Sequence, residues 1–264
     1  MELRGRTVLL TGATGGLGRA IARALAQRGA LGVLTGRRAE VLEPLAAETG
    51  SRHVACDLAV PGELERLLAE AGDVDVLIAN AGLPASGHIT SFSTEDIDRA
   101  LAVNLRAPMV LARRLAEPMA ARGSGHIVFM SSLSGKAASG GGSVYAATKF
   151  GLRGFAHGLR EDLRSSGVGV SVVLPGFVSD AGLFHDAGVD LPPWVGTKTP
   201  EAVAAAVISA IERDRGEVDV APLGMRAGAA FAGLAPQLSA AVQRRLGGAR
   251  IAEAFARGQR DKRA

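Results

Sequence analysis

Tyr145 and Lys149 stand four residues apart in the run Tyr145-Ala146-Ala147-Thr148-Lys149, and Ser132 lies thirteen residues upstream. On a helix, positions i and i+4 share one face, so a phenol and an ammonium project into one site. A cation beside a phenol favours the phenolate and draws its pKa down from about 10. A tyrosine so placed delivers or removes a proton near neutral pH. A Tyr-x-x-x-Lys pair alone is common, so the surrounding elements decide what it does.

Those elements alternate from the start of the chain. Short apolar, β-type runs occur at Thr7–Thr11, Leu31–Thr35, His53–Cys56, Val74–Ala79, His126–Met130, Val168–Leu174 and Val218–Ala221. Helical patterns fill the gaps at Leu17–Arg28, Ala39–Thr49, Pro61–Ala71, Thr94–Ala121 and Val144–Ser165. Thr94 is the expected N-cap of its helix, before Glu95 and Asp96. Thr199-Pro200-Glu201 opens a further helix with a cap, a proline at the first position and an acid in the first turn. The strands are continuous apolar runs, as expected when helices cover both faces of a sheet. The βα order predicts an α/β fold: one doubly wound parallel sheet of about seven strands.

Composition narrows the class. At 264 residues with 47% hydrophobic and 21% charged side chains, the chain suits one folded α/β domain with a sizeable core. Cys56 is the only cysteine, which excludes an intramolecular disulfide and fits a reducing, cytoplasmic setting. No apolar stretch reaches the ~20 residues of a membrane span, and no signal peptide is apparent. The net charge of +4 comes largely from the C-terminus, so the protein as a whole does not read as binding nucleic acid.

The turn Thr11-Gly12-Ala13-Thr14-Gly15-Gly16-Leu17-Gly18 joins the first strand to the first helix. Glycines there let a backbone approach a pyrophosphate, and the helix N-terminus offers amide donors and a positive dipole end. The second strand ends Thr35-Gly36-Arg37-Arg38, with no acid to hold a ribose 2′-hydroxyl. Two arginines suit a 2′-phosphate, so NADP(H) is favoured over NAD(H). The alternative is a pair of solvated surface charges.

The ordered set of the Gly-rich turn, Asp57, Asn80-Ala81-Gly82, Asn104, Ser132, Tyr145-x-x-x-Lys149 and Pro175-Gly176 resembles the short-chain dehydrogenase/reductase family over about residues 5–221. The resemblance implies a Rossmann-like catalytic domain at 1–221 that transfers a hydride between a nicotinamide cofactor and a ketone or secondary alcohol. It implies that Gly12, Thr14, Gly16, Leu17, Gly18, Arg37 and Arg38 hold the cofactor phosphates. Asp57 and Leu58 would meet the adenine, Asn80, Ala81 and Gly82 the adenosine ribose, and Pro175 and Gly176 the nicotinamide. Ser132 would hydrogen-bond the substrate oxygen and Tyr145 protonate it. Lys149 would lower the tyrosine pKa and hold the nicotinamide ribose, and Asn104 would help bind a relay water. Family spacing selects Ser132 over Ser131. No metal is implied. Two departures stand out. Gly15 replaces a basic residue frequent in NADP-dependent relatives, and Asp180, after Ser179, replaces a threonine near the carboxamide.

Residues 177–198 would form a substrate lid. Phe177, Leu183, Phe184, Leu191, Pro192, Pro193 and Trp194 point to an apolar substrate. His53, His88, His126, His157 and His185 lack metal-ligand spacing. Residues 222–264 form a basic, helical C-terminal extension, with Leu238, Val242, Leu246, Ile251 and Phe255 as an apolar stripe. It packs on the domain or on another subunit, or meets anionic lipid as a peripheral membrane contact. The family commonly forms dimers or tetramers, and a homo-oligomer built through the helices around Asn104 and Tyr145 is expected. The alternative function is a non-catalytic NADP-binding sensor or scaffold on the same fold. Such proteins usually lose part of the catalytic set, and none is missing here.

Overall fold

A computed structural model describes residues 1–180, 196–245 and 258 of the chain. Seven parallel strands form one sheet in the order β3-β2-β1-β4-β5-β6-β7. They are β1 (Thr7–Thr11), β2 (Leu31–Gly36), β3 (Arg52–Ala55), β4 (Val76–Ala79), β5 (Gly125–Met130), β6 (Val168–Pro175) and β7 (Glu217–Val220). The strand order reverses between β1 and β4, which pair in register Leu9 to Leu77. At such a reversal the flanking loops diverge and leave a crevice beyond the strand C-termini.

Helices α1 (Gly16–Gln27), α2 (Ala39–Thr49), α3 (Pro61–Ala71), α4 (Thr94–Leu101), α5 (Ala107–Arg122), α6 (Ser143–Asp162) and α7 (Pro200–Glu212) flank the sheet. Ile21, Leu25 and Leu42 with Val203, Val207 and Ile211 bury one face of it. Leu64, Leu67, Leu111, Leu115, Met119 and Leu152 bury the other. Burial on both faces explains why the strands read as unbroken apolar runs.

One expectation is corrected. Ser93, not Thr94, caps α4: its hydroxyl accepts from the Asp96 N–H, and the Asp96 carboxylate accepts from the Ser93 N–H. This reciprocal pair satisfies two helix-end donors, and a Thr94 cap does not form it. The long helical region expected over 94–121 is present, with a π-helical turn at Ala102–Arg106 between α4 and α5.

Beyond β7, α8 (Leu223–Leu234) and α9 (Pro236–Arg245) pack on each other. Leu223, Phe231, Leu234, Leu238 and Val242 are exposed on them. The rest of the basic extension, including Leu246, Ile251 and Phe255, lies outside the described residues, as do Leu183, Phe184, His185, Leu191, Pro192, Pro193 and Trp194 of the expected lid. Its two roots are paired: Ser179 N–H donates to Lys198 O and Lys198 N–H to Phe177 O, both at 3.0 Å. Among the described residues, no helix is long and apolar enough to cross a membrane.

Candidate active site

Tyr145 is the third residue of α6, and its N–H donates to Ala85 O at 3.2 Å, which ties the helix start to the loop after β4. Lys149 lies one turn on, buried, with its ammonium 5.6 Å from the centre of the Tyr145 ring. It donates to Met130 O, at the end of β5, at 2.8 Å. The adjacent serines diverge. Ser131 is buried and its hydroxyl donates to Lys149 O at 2.9 Å, so it serves packing. Ser132 is less buried, accepts from the Ser134 N–H at 3.1 Å and hydrogen-bonds Tyr145. Gly135 is required here, because a Cβ would lie 2.6 Å from Ser131 Oγ and 2.8 Å from Lys149 O.

Electrostatics correct one expectation. Burial pushes the Tyr145 phenol up to about 12, and only the hydrogen bond with Ser132 opposes it. Burial pushes Lys149 down to about 8. Removal from water outweighs the lysine's attraction for a phenolate, so in this structure Tyr145 is a protonated acid.

Asn104 sits in the π-helical turn and is fully buried. Its Oδ1 accepts from Leu83 N–H at 2.7 Å and its Nδ2 donates to Leu83 O at 3.0 Å. The side chain is therefore spent on the backbone beside Gly82. A Cβ at Gly82 would lie 3.7 Å from both Asn104 Oδ1 and Lys149 Nζ. Asn104 thus shapes the wall next to the ammonium.

The crevice between β1 and β4 is built around Thr11. Its Oγ1 accepts from the N–H groups of Asn80 and Ala81, each at 3.0 Å. Asn80 Nδ2 returns to Thr11 O and Gly12 O at 3.0 and 3.2 Å. Gly12 has φ +68°, and a Cβ there would sit 2.7 Å from Ala81 Cα. A Cβ at Gly18 would be 2.2 Å from Gly12 O. The turn is closed so tightly that only glycine fits, which lays the main chain bare over the start of α1. No side chain caps α1 and no acid lies in its first turn, so its end stays electropositive. Arg38 donates to Thr14 O at 3.2 Å and clips the loop after β2 to this turn.

Asp57 follows β3. Its Oδ1 accepts from Ala59 N–H at 2.9 Å, and its Oδ2 pairs with Arg99 of α4 at 2.9 Å. Burial raises its pKa, but the Ala59 N–H, Arg99 and the charge of Arg37 hold it below the usual range. Leu58 is buried beside it. At the other end, Gly176 lies so close to Ala221 and Met225 that a Cβ would reach them at 2.9 and 3.2 Å. Lys136, after the serine turn, bonds Asp219 Oδ1 and Glu217 Oε1 of β7, each at 2.6 Å. Burial raises Glu217, yet Arg153, Lys136 and His157 together bring it down to about 2, so this anchor stays ionised at neutral pH.

The residues expected to form the catalytic and cofactor site thus lie at or beyond the C-terminal ends of β1, β2, β3, β4, β5 and β6, or on the helices facing them. Arg99, the Met130 carbonyl, Leu83 and Met225 were not foreseen. Their contributions come from chain crossings that leave no local signal. The family model for short chain dehydrogenases matches residues 6–189. The chain belongs to the short-chain dehydrogenase family.

Relatives of this dehydrogenase agree. It is 40% identical to the "Ketoacyl reductase HetN" of Nostoc sp., over 83% of this chain and 79% of that protein. It is 33% identical to the 3-oxoacyl-acyl-carrier-protein reductase FabG of Rickettsia conorii, over 67% of this chain and 75% of that protein. A short-chain dehydrogenase from Sphingobium yanoikuyae, solved in complex with NADPH, superposes with a TM-score of 0.76 at 31% identity, covering 89% of this chain and 95% of that chain. The protein is accordingly an oxidoreductase of carbonyl and alcohol groups. The nicotinamide cofactor of the family fits the residues present: the bare Gly12 to Gly18 turn, the uncapped α1 and the cationic β2–α2 loop are what a dinucleotide requires. Among the described residues, no group of three or more His, Cys, Asp or Glu is placed to hold a metal ion. His126 is buried against Ser171 and pushed down to about 4 by burial, as a neutral core residue.

Proposed function

We propose that this short-chain dehydrogenase reduces a ketone carried on an apolar chain, a 3-oxoacyl compound being the leading candidate, with NADPH as the reductant. The carrying observation is the Ser132–Tyr145 hydrogen bond beside the buried Lys149 ammonium. When bound, the dinucleotide supplies the hydride to the carbonyl carbon. Charge then builds on the carbonyl oxygen, where Ser132 donates a hydrogen bond and Tyr145 gives up its proton. Lys149 stabilises the phenolate left behind, and Gly12, Thr14, Gly16, Leu17 and Gly18 hold the phosphates. Asn80, Ala81 and Gly82 line the adenosine ribose, and Pro175 and Gly176 border the nicotinamide. The apolar wall of Leu133, Ala221 and Met225 around Gly176 suits an aliphatic substituent. Names of the relatives support the 3-oxoacyl assignment. Oxidation of NADPH by purified protein with 3-oxoacyl thioesters tests it. No turnover on any of them, with dinucleotide binding intact, overturns it.

Arg37 and Arg38, both exposed at the β2–α2 loop, carry the preference for NADPH. Replacing both by Gln is expected to raise KM for NADPH about 30-fold and to change that for NADH less than threefold. Equal effects on the two would refute the assignment. The groove between α5 and α6, lined by Ala116, Ala120, Phe155 and Leu159, suits a second copy of the chain. Sedimentation is expected to give at least a dimer, and replacing Ala120 by Glu to shift it towards monomer.

A further inference from the structure

Arg99 is an arginine that the Tyr–Lys–Ser chemistry does not use, and its placement is unusual. It reaches from α4 across to the loop after β3 and pairs with Asp57 at 2.9 Å, with side chains only 30% and 26% exposed. Its Nε is buried with no acceptor. Buried donors are rarely left unpartnered, so the pair is held against a local penalty. Asp57 is also within the field of Arg37. That interaction is mutual. A carboxylate that feels Arg37 subtracts from the potential Arg37 offers to any anion. Without Arg99, Asp57 would be a bare negative charge close to the cationic loop.

We propose that Arg99 is a specificity-determining residue: it neutralises Asp57 so that Arg37 and Arg38 can attract the 2′-phosphate of NADP(H). The inference rests on the NADPH reading above. It separates two jobs between two elements. Asp57 keeps a free lone pair on each oxygen for the adenine edge, while Arg99 removes its net charge. A purely structural brace between α4 and the β3 loop would instead affect all adenosine ligands alike.

The test uses the whole protein and two cofactor fragments, 2′,5′-ADP and 5′-AMP, titrated by calorimetry at low ionic strength, where charge effects are least screened. The observable is the ratio of their dissociation constants. Arg99→Gln, which keeps hydrogen-bond donors but not charge, is expected to cut the preference for 2′,5′-ADP roughly tenfold. Adding Asp57→Asn is expected to bring it back to within about threefold of wild type, because no charge remains to be neutralised. A preference unchanged in Arg99→Gln, or not recovered in the double variant, overturns the inference. Should Arg99→Gln fail to fold, Asp57→Asn alone decides: leaving Arg99 unopposed must raise the preference, and an unchanged ratio sinks the idea. Wild-type protein that does not prefer 2′,5′-ADP would sink the NADPH reading itself, and this inference with it. A wild-type preference that survives Arg99→Gln would sink only the role of Arg99.

Discussion

Replacing Tyr145 by Phe is expected to lower kcat for ketone reduction about 10³-fold while leaving dinucleotide affinity within about twofold. The phenol is held near pKa 12 by burial, so it is protonated at any working pH. Phe keeps the ring and its packing but removes the transferable proton. Ser132 remains to hydrogen-bond the substrate oxygen, but a serine hydroxyl without a partner base cannot replace the lost acid. The effect should therefore fall on kcat with KM little changed, the mark of an interaction made in the transition state. Stopped-flow single turnovers would show it directly. Wild-type turnover by the variant would remove Tyr145 from the chemistry.

Lys149→Met should act in opposite directions on activity and stability. Activity is expected to fall about 10²-fold or more, since the charge beside the developing phenolate is gone. Stability should rise. Lys149 titrates near 8 in the fold against 10.5 as its ordinary value. Below about pH 8 both states hold the proton, and the folded state bears the full penalty of a buried ammonium. Between about 8 and 10.5 the unfolded chain holds the proton and the folded chain does not, so wild-type stability climbs with pH through that window. Above it the penalty is gone. Methionine removes the penalty at neutral pH, less the lost bond to Met130 O, for a net gain of about 2 kcal/mol. Melting should move up by about 5 °C at pH 7 and end slightly below wild type above about pH 10.5, where only the lost bond to Met130 O remains. The same titration predicts that wild-type kcat/KM for reduction falls above about pH 8, as the ammonium is lost. A variant that melts lower than wild type at pH 7 would contradict the whole account. On the proposed mechanism, activity rests on a charge the fold would be more stable without.

The sheet and the placement of most candidate site residues could be read from sequence because both rest on short-range rules. Unbroken apolar runs such as Val168–Leu174 mark strands covered on both faces. Glycines at 12 and 18 mark a turn that tolerates no Cβ. The spacing from Tyr145 to Lys149 marks one helix face. What could not be read depends on competition or on long crossings. Ser93 and Thr94 are both good caps, and the choice turned on which hydroxyl meets the Asp96 N–H. Sequence proximity put the Lys149 charge beside Tyr145, but burial, which sequence does not report, set the direction of both pKa shifts. Arg99 and Asp57 are 42 residues apart, and no periodicity joins them.

The π-helical turn at Ala102–Arg106 also bears on how this chain can vary. It holds one residue more than an α-helical turn spanning the same rise. Removing one residue from it would let α4 and α5 fuse into a regular rod with their outward faces kept, because the wide turn already absorbs the extra residue. Leu111, Leu115 and Met119 would keep α5 on the core and Arg99 would keep its reach to Asp57, while Asn104, in the turn itself, lost its grip on Leu83. Length here is therefore fixed even where side-chain identity is free: substitutions can accumulate along the outer face of this rod, whereas a single-codon deletion in it would take away the Asn104 wall beside the Lys149 ammonium.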